Sequence, residues 1–156
     1  VGMAALKYGD LSNQASKDYI FDMDRFVSFE GNTGPYILYT IVRIKSILAK
    51  ASELEVQSVC TGDILPAASG VEKDLMLQLS KYNEVIETSF LELAPHKICQ
   101  YVYELANAFN RFYHDTKIIA EENEKQRASW LSLISLAKDV LTACIDLLGI
   151  EAPERM

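Results

Sequence analysis

Several kinds of chemistry are missing from this sequence of 156 residues. Its three cysteines, Cys60, Cys99 and Cys144, are scattered, and no two have the spacing of a metal site or a redox pair. The two histidines, His96 and His114, are far apart and have no acidic or thiol partner at ligand spacing. Buried free thiols and solvated helix-end histidines are the simpler interpretations, and neither set predicts a metal.

Catalytic and membrane signals are also absent. The sequence has no G-x-x-x-x-G-K-[ST] or G-x-G-x-x-G phosphate-binding turn and no G-x-S-x-G elbow. It has no apolar run that we expect to span a membrane, and no secretory signal pattern. Few, unpaired cysteines fit a reducing cytoplasm. Because the sequence starts at Val1 in the middle of a pattern, we expect it to be a piece of a longer protein.

Two acidic clusters are better explained by roles in the fold than by a metal site. Asp18, Asp22 and Asp24 resemble a metal cluster but lack the glycine and glutamate spacing of a calcium loop. Capping and turn roles are the better prediction for them. The run from Glu121 to Glu124 is similarly interpreted as the solvated start of a helix, favourable for the helix dipole.

Charge is unevenly distributed along the chain. The net charge is −7, from 15 basic and 22 acidic residues, which argues against a simple phosphate-binding surface. Residues 1–50 hold six basic and five acidic residues, a net of +1, whereas residues 51–156 hold nine and seventeen, a net of −8. The sequence therefore favours recognition of individual bases over electrostatic clamping of a duplex.

The hydrophobic pattern predicts an all-α fold, an irregular bundle of about five helices. Residues 13–34 are expected to form an irregular connector and residues 56–70 a surface loop. Candidate helices cover residues 1–12, 35–55, 71–81, 84–93, 95–114 and 121–148. We expect Asn83 to be an N-cap and Gly149 to stop the last helix. Apolar stripes along the two longest C-terminal helices predict the core.

The most informative stretch runs from Ser28 to Tyr36 and leads from a glycine-rich turn into a helix. At about 100° per residue, Tyr36, Tyr39 and Arg43 lie within a narrow arc, opposite an apolar stripe, and Lys50 falls near the same face. Aromatic rings beside a guanidinium can stack and clamp single-stranded bases. The alternative is that the tyrosines are half-buried core residues and that Arg43 is a surface charge.

This region resembles a known family. Gly-Asn-Thr-Gly-Pro-Tyr over residues 31–36, followed by Tyr39 and Arg43, resembles the junction between the catalytic and anticodon-binding domains of class I arginyl-tRNA synthetases. Residues 7–12 and 17–24 resemble the end of that catalytic domain. Residues 101–113 resemble the second signature helix of the family, and residues 148–156 resemble its chain end.

The resemblance implies a tRNA-binding module, with a domain boundary near the junction at residues 31–36. Residues 1–33 would be the remnant of the catalytic domain and a connector, and residues 34–156 the anticodon-binding bundle. The parent enzyme would ligate arginine to tRNA using ATP. Neither the His-Ile-Gly-His nor the Lys-Met-Ser-Lys type of signature is present, so this chain alone would bind no cofactor and catalyse nothing. The Asp-Ala-Leu-Arg tetrapeptide after which the domain class is named is also absent.

The resemblance also implies a set of tRNA-binding residues. They are Tyr36, Tyr39, Arg43, Tyr113 and Met156, with Asn110 and Arg111 as neighbours on the second signature helix. In the family, the matching tyrosines and the terminal methionine lie beside the anticodon bases. Changing Tyr36 to alanine is then expected to weaken tRNA binding without unfolding the domain.

The predicted partners are therefore the tRNA anticodon loop and the catalytic domain of the same protein, with no DNA or membrane partner. The main rival is a non-enzymatic helical adaptor that buries a helix of another protein against the tyrosine-rich face, because tyrosine and arginine are also frequent in protein interfaces.

Overall fold

Seven α-helices account for the regular structure of the described part of the chain. The computed structural model describes residues 1–54 and 63–156, and this part of the chain contains no β-strand. The helices are α1 (Gly2–Leu11), α2 (Met23–Val27), α3 (Gly34–Glu53), α4 (Gly70–Ser80), α5 (Tyr82–Leu91), α6 (Pro95–Asp115) and α7 (Glu124–Leu147). The predicted all-α class is confirmed. The short helix α2, inside the predicted irregular connector, was not expected.

The core lies between α3, α6 and α7, which pack on one another along their apolar stripes. On α6 the predicted stripe is buried throughout, from Ile98 to Phe112. On α7 the stripe from Ile134 to Leu148 is buried as well. Helix α1 completes the core, because the Tyr8 ring is fully buried in the same cluster.

Helix α1 is held against the start of α3 by close packing and by one hydroxyl group. A Cβ atom at Gly34 would lie 2.4 Å from the carbonyl oxygen of Ala4, so only glycine fits there. The Tyr8 hydroxyl lies 2.6 Å from Asn32 Oδ1 and 2.7 Å from the carbonyl oxygen of Cys99. This contact fixes the turn before α3 relative to both α1 and α6.

Of the two predicted helix ends, the one at Gly149 is confirmed and the cap at Asn83 is not. Gly149 has φ of +72° and closes α7, and the amide of Ile150 donates to the carbonyl of Ile145 at 2.9 Å, as in a Schellman motif. The prediction that Asn83 caps α5 is wrong. Lys81 ends α4 and begins α5 with helical backbone angles, so Asn83 lies inside the helix and no extended capping residue is needed.

Two further predictions concern single residues. Cys99 and Cys144 are buried, as expected, and burial raises the pKa of each thiol to about 12. Cys60 lies outside the described residues, together with the rest of residues 56–62 of the predicted loop over residues 56–70. Asp22 caps α2, since its carboxylate accepts from the amide of Arg25 at 3.1 Å.

Helix α7 is long and apolar enough to cross a membrane, judged by length and composition only. This qualifies the expectation from the sequence that no apolar run is long enough to do so. However, 56% of the relevant window is buried inside the protein. The central helix of a bundle needs this degree of apolarity for its own packing. Packing within the bundle therefore explains the composition of α7.

Candidate functional site

The predicted site is built where α3 and α6 lie side by side. Helix α3 begins after Thr33, whose hydroxyl accepts from the amide of Tyr36 at 3.3 Å, and Pro35 occupies the first turn, where a missing N–H costs nothing. This start orients Tyr36 and Arg43 toward α6. Helix α6 presents Asn107 and Asn110 to them.

Asn110 is the central residue of a hydrogen-bond network between the two helices. Its Oδ1 accepts from Arg43 Nη1 at 2.8 Å. Its Nδ2 donates to the Tyr36 hydroxyl at 2.9 Å and to Thr40 Oγ1 at 3.2 Å. The Tyr36 hydroxyl in turn donates to Asn107 Oδ1 at 2.7 Å. One amide side chain thus fixes both the arginine and the first tyrosine of the predicted set.

Arg43 lies close to two aromatic rings. Its guanidinium carbon is 4.7 Å from the centre of the Tyr39 ring and 5.3 Å from the centre of the Tyr113 ring. Its Nη2 also donates to the Tyr39 hydroxyl at 2.9 Å. Both tyrosines are 41% exposed, whereas Arg43 is half-buried. The structure therefore brings together a cation and two accessible rings from α3 and α6, the arrangement predicted for stacking on a base.

Tyr36 lies deeper in the bundle than Tyr39. It is half-buried, and the edge of its ring contacts Tyr103, with ring centres 5.9 Å apart. Burial raises the pKa of its hydroxyl, although the hydrogen bond from Asn110 opposes that shift. Because the hydroxyl already contacts two amide side chains, Tyr36 holds the neighbouring residues in place, which is closer to the alternative interpretation of this residue.

A groove opens beside Arg43 and extends toward the end of α6. Its volume is about 460 Å³. Its walls are the last turns of α3, the end of α6 and the segment that connects α6 to α7, and the lining residues include Arg43, Lys50, Tyr113, His114, Lys117 and Ile118. Lys50 thus joins the arginine at one site, as its position on the helix face predicted. Lys117 was missed because it lies in a connecting segment without periodicity.

The remaining predicted residues lie outside this cluster. Arg111 is exposed on α6 and lines a shallow neighbouring cavity of about 320 Å³ with Asn107 and Asn110. Met156 is 45% exposed at the chain end. Met156 is not one of the described residues that line the groove beside Arg43.

The C-terminal tail is nevertheless fixed in place. Lys7 Nζ donates to the carbonyl of Gly149 at 2.6 Å. Lys45 Nζ lies 2.5 Å from a carboxylate oxygen of Glu154 and donates to the carbonyl of Pro153 at 3.3 Å. The ion pair with Lys45 lowers the pKa of the Glu154 carboxyl. Lys45 is two positions after Arg43, about 200° around the helix, so the tail is attached to a different side of α3 from the arginine.

A comparison with protein families identifies this arrangement of helices. Residues 37–156 match the model of the DALR anticodon binding domain. This chain belongs to that family. The match begins at Ile37 within α3 and runs through α7, and so includes Tyr39, Arg43 and the whole of α6. Since the Asp-Ala-Leu-Arg tetrapeptide is absent, membership depends on the overall pattern of the domain and not on that motif.

Similar proteins support the same family. The chain is 64% identical over its whole length to an arginine–tRNA ligase of Agathobacter rectalis, and it covers 26% of that protein. Among solved structures it superposes on the arginyl-tRNA synthetase of Thermus thermophilus with a TM-score of 0.85 at 30% identity, and on that of Plasmodium falciparum with a TM-score of 0.81 at 31% identity. These alignments cover 99% and 98% of this chain and 26% of each solved chain.

The resemblance stated from the sequence is therefore confirmed over the full length of the chain. The chain spans about a quarter of the length of the curated relatives that it matches. The parts of those relatives that lie outside the alignment have no counterpart among these 156 residues.

Proposed function

We propose that this domain binds the anticodon loop of a tRNA and reads its unpaired bases. The observation that carries the proposal is the Arg43 guanidinium, held by Asn110 beside the exposed rings of Tyr39 and Tyr113. Single-stranded RNA is recognised by stacking bases on such rings and by hydrogen bonds to their edges. Membership in the DALR anticodon binding domain family supports the proposal.

Each residue has a distinct role in this proposal. Tyr39 and Tyr113 stack on bases, and Arg43 donates to a base edge or a phosphate. Asn110 and Tyr36 are positioning residues, because their polar atoms contact Arg43 or one another. A base that is recognised through good contacts is typically favoured over a wrong base by about 1–3 kcal/mol.

Arg111 and Met156 complete the proposed surface. Arg111 is exposed and lies next to the network, where it would contact the RNA backbone. Met156 would contact a base at the chain end, as the resemblance implies. Deleting Arg155 and Met156 is expected to lower RNA affinity and to leave the helix content unchanged, because neither residue is in a helix. Unchanged affinity would remove Met156 from the site.

For the longer protein we propose the activity named for its relatives, the ligation of arginine to tRNA at the expense of ATP. ATP would be bound outside this chain, and the protein would act in the cytoplasm. Residues 1–33 would be the end of the catalytic domain together with a connector. The exposed apolar side chains of Ile20, Phe21 and Phe29 support this, since another domain of the protein could cover them.

The test is a titration of this chain with two anticodon stem-loop RNAs, one from an arginine-accepting tRNA and one with an altered anticodon. We expect tighter binding of the first. Tyr39→Ala should weaken that binding about tenfold or more, with little loss of stability because the ring is exposed. Phe90→Ala is the matched control, since this ring is 77% exposed on α5. Binding of neither RNA would contradict the proposal and leave the adaptor hypothesis.

A further inference from the structure

The groove beside Arg43 concentrates positive charge in an acidic domain. Its lining includes Arg43 and Lys50 from α3, His114 from the last turn of α6, and Lys117 from the connecting segment. None of the described residues that line the groove is an aspartate or a glutamate, although the chain as a whole carries a net charge of −7. A basic lining of this kind in an acidic chain favours an anionic occupant.

The groove also has an apolar floor and the size of a ligand site. Ile47 and Ile118 form part of its lining and are 7% and 3% exposed. Its volume of about 460 Å³ falls within the range of roughly 300–1,000 Å³ that is usual for small-ligand pockets. A group the size of one nucleotide, with an anionic part and a flat apolar part, suits these walls.

The two lysines of the groove are not paired with any residue that the structure describes. Among residues 1–54 and 63–156, the ammonium groups of Lys50 and Lys117 form no ion pair and no hydrogen bond. Lys45 and Lys97, in contrast, pair with Glu154 and Glu92. Both groove lysines are exposed, so their charges remain available to a ligand.

We propose that Lys50 and Lys117 bind backbone phosphates of the anticodon loop, next to the base that stacks at Tyr39 and Tyr113. The inference rests on the proposed function and extends it, because Arg43 and Tyr113 belong to both the ring cluster and the groove. The ligand class is the phosphodiester of single-stranded RNA. The lysines position the loop and carry no base specificity, whereas the rings and the arginine read the sequence.

The experiment measures the salt dependence of RNA binding for Lys50→Gln, Lys117→Gln and the double variant. Each lost phosphate contact should lower the slope of log affinity against log salt by about 0.7, the value for single strands. Affinity should fall by the same factor for the arginine-accepting stem-loop and for the one with the altered anticodon. Lys73→Gln is the control, because it removes one charge from an exposed position on α4.

Three results would overturn the proposal. If the double variant has the same slope as Lys73→Gln while the unaltered chain still prefers the arginine-accepting RNA, this phosphate site is refuted and the proposed function stands. A loss that differs between the two RNAs would mean that the lysines read bases. Binding of neither RNA by the unaltered chain would refute both proposals. Circular dichroism checks that each variant folds. Lys117→Arg, which keeps the positive charge, should have the same slope as the unaltered chain.

Discussion

Replacing Asn110 with alanine tests whether one amide side chain holds the site together. The substitution removes the acceptor for Arg43 and the donors to Tyr36 and Thr40. A neutral hydrogen bond contributes about 1 kcal/mol net, and one to a charged group about 1.5–3 kcal/mol. The Arg43 guanidinium can be rehydrated because it is only half-buried, and Thr40 still donates to a backbone carbonyl. We therefore expect a loss of about 2 kcal/mol in the free energy of unfolding, less than the full sum.

Urea denaturation followed by circular dichroism measures this loss. Asn83→Ala is the matched control, because Asn83 is exposed within α5 and its side chain forms no hydrogen bond among the described residues. Both substitutions place alanine in a helix, so the gain in helix propensity cancels in the difference. A difference below about 0.5 kcal/mol between the two variants would show that the network contributes nothing to stability, and that Arg43 is positioned by other contacts.

The remaining predictions concern stability. Gly34→Ala should destabilise the protein by about 1–3 kcal/mol because its Cβ would meet the backbone of Ala4; an unchanged midpoint in urea would show that α1 is not packed as described. Leu93→Gly should stabilise by up to about 1 kcal/mol, since Leu93 has φ of +50° and is 83% exposed, and a lower melting temperature would contradict this. Stability should fall as the pH rises above about 9, where the thiols of Cys99 and Cys144 ionise only in the unfolded chain, their folded pKa being about 12. A Cys99→Ala, Cys144→Ala double variant should show a shallower alkaline loss.

The helices could largely be predicted because their signals are local. Each depends on an apolar period or a terminal residue within a few positions, as with Pro35 at the start of α3 and Gly149 after α7. The sequence failed to predict the start of α5 and the presence of α2, and both failures have local causes as well. Asn83 has the side chain of a cap, but the chain stays helical through Lys81. Helix α2 has only five residues and is too short for a periodic signal.

The candidate site could be predicted only in part. The face of α3 that carries Tyr39 and Arg43 follows from helical spacing alone. The roles of Tyr36 and Asn110 do not, because they depend on how α6 lies against α3, and Asn110 comes 74 positions after Tyr36 in the chain. Lys117 joins the groove for the same reason, since no spacing rule connects a residue in a turn to a distant helix.

By itself the sequence determined the helices, the apolar stripes that form the core and the family to which the chain belongs, because these depend on residue order and local backbone preference. The tertiary structure alone decided which polar side chains support the others and which remain available to a ligand. Two tyrosines at helical spacing look equivalent in the sequence. Packing against α6 leaves Tyr39 open and covers part of Tyr36, because burial depends on residues that are distant in the chain.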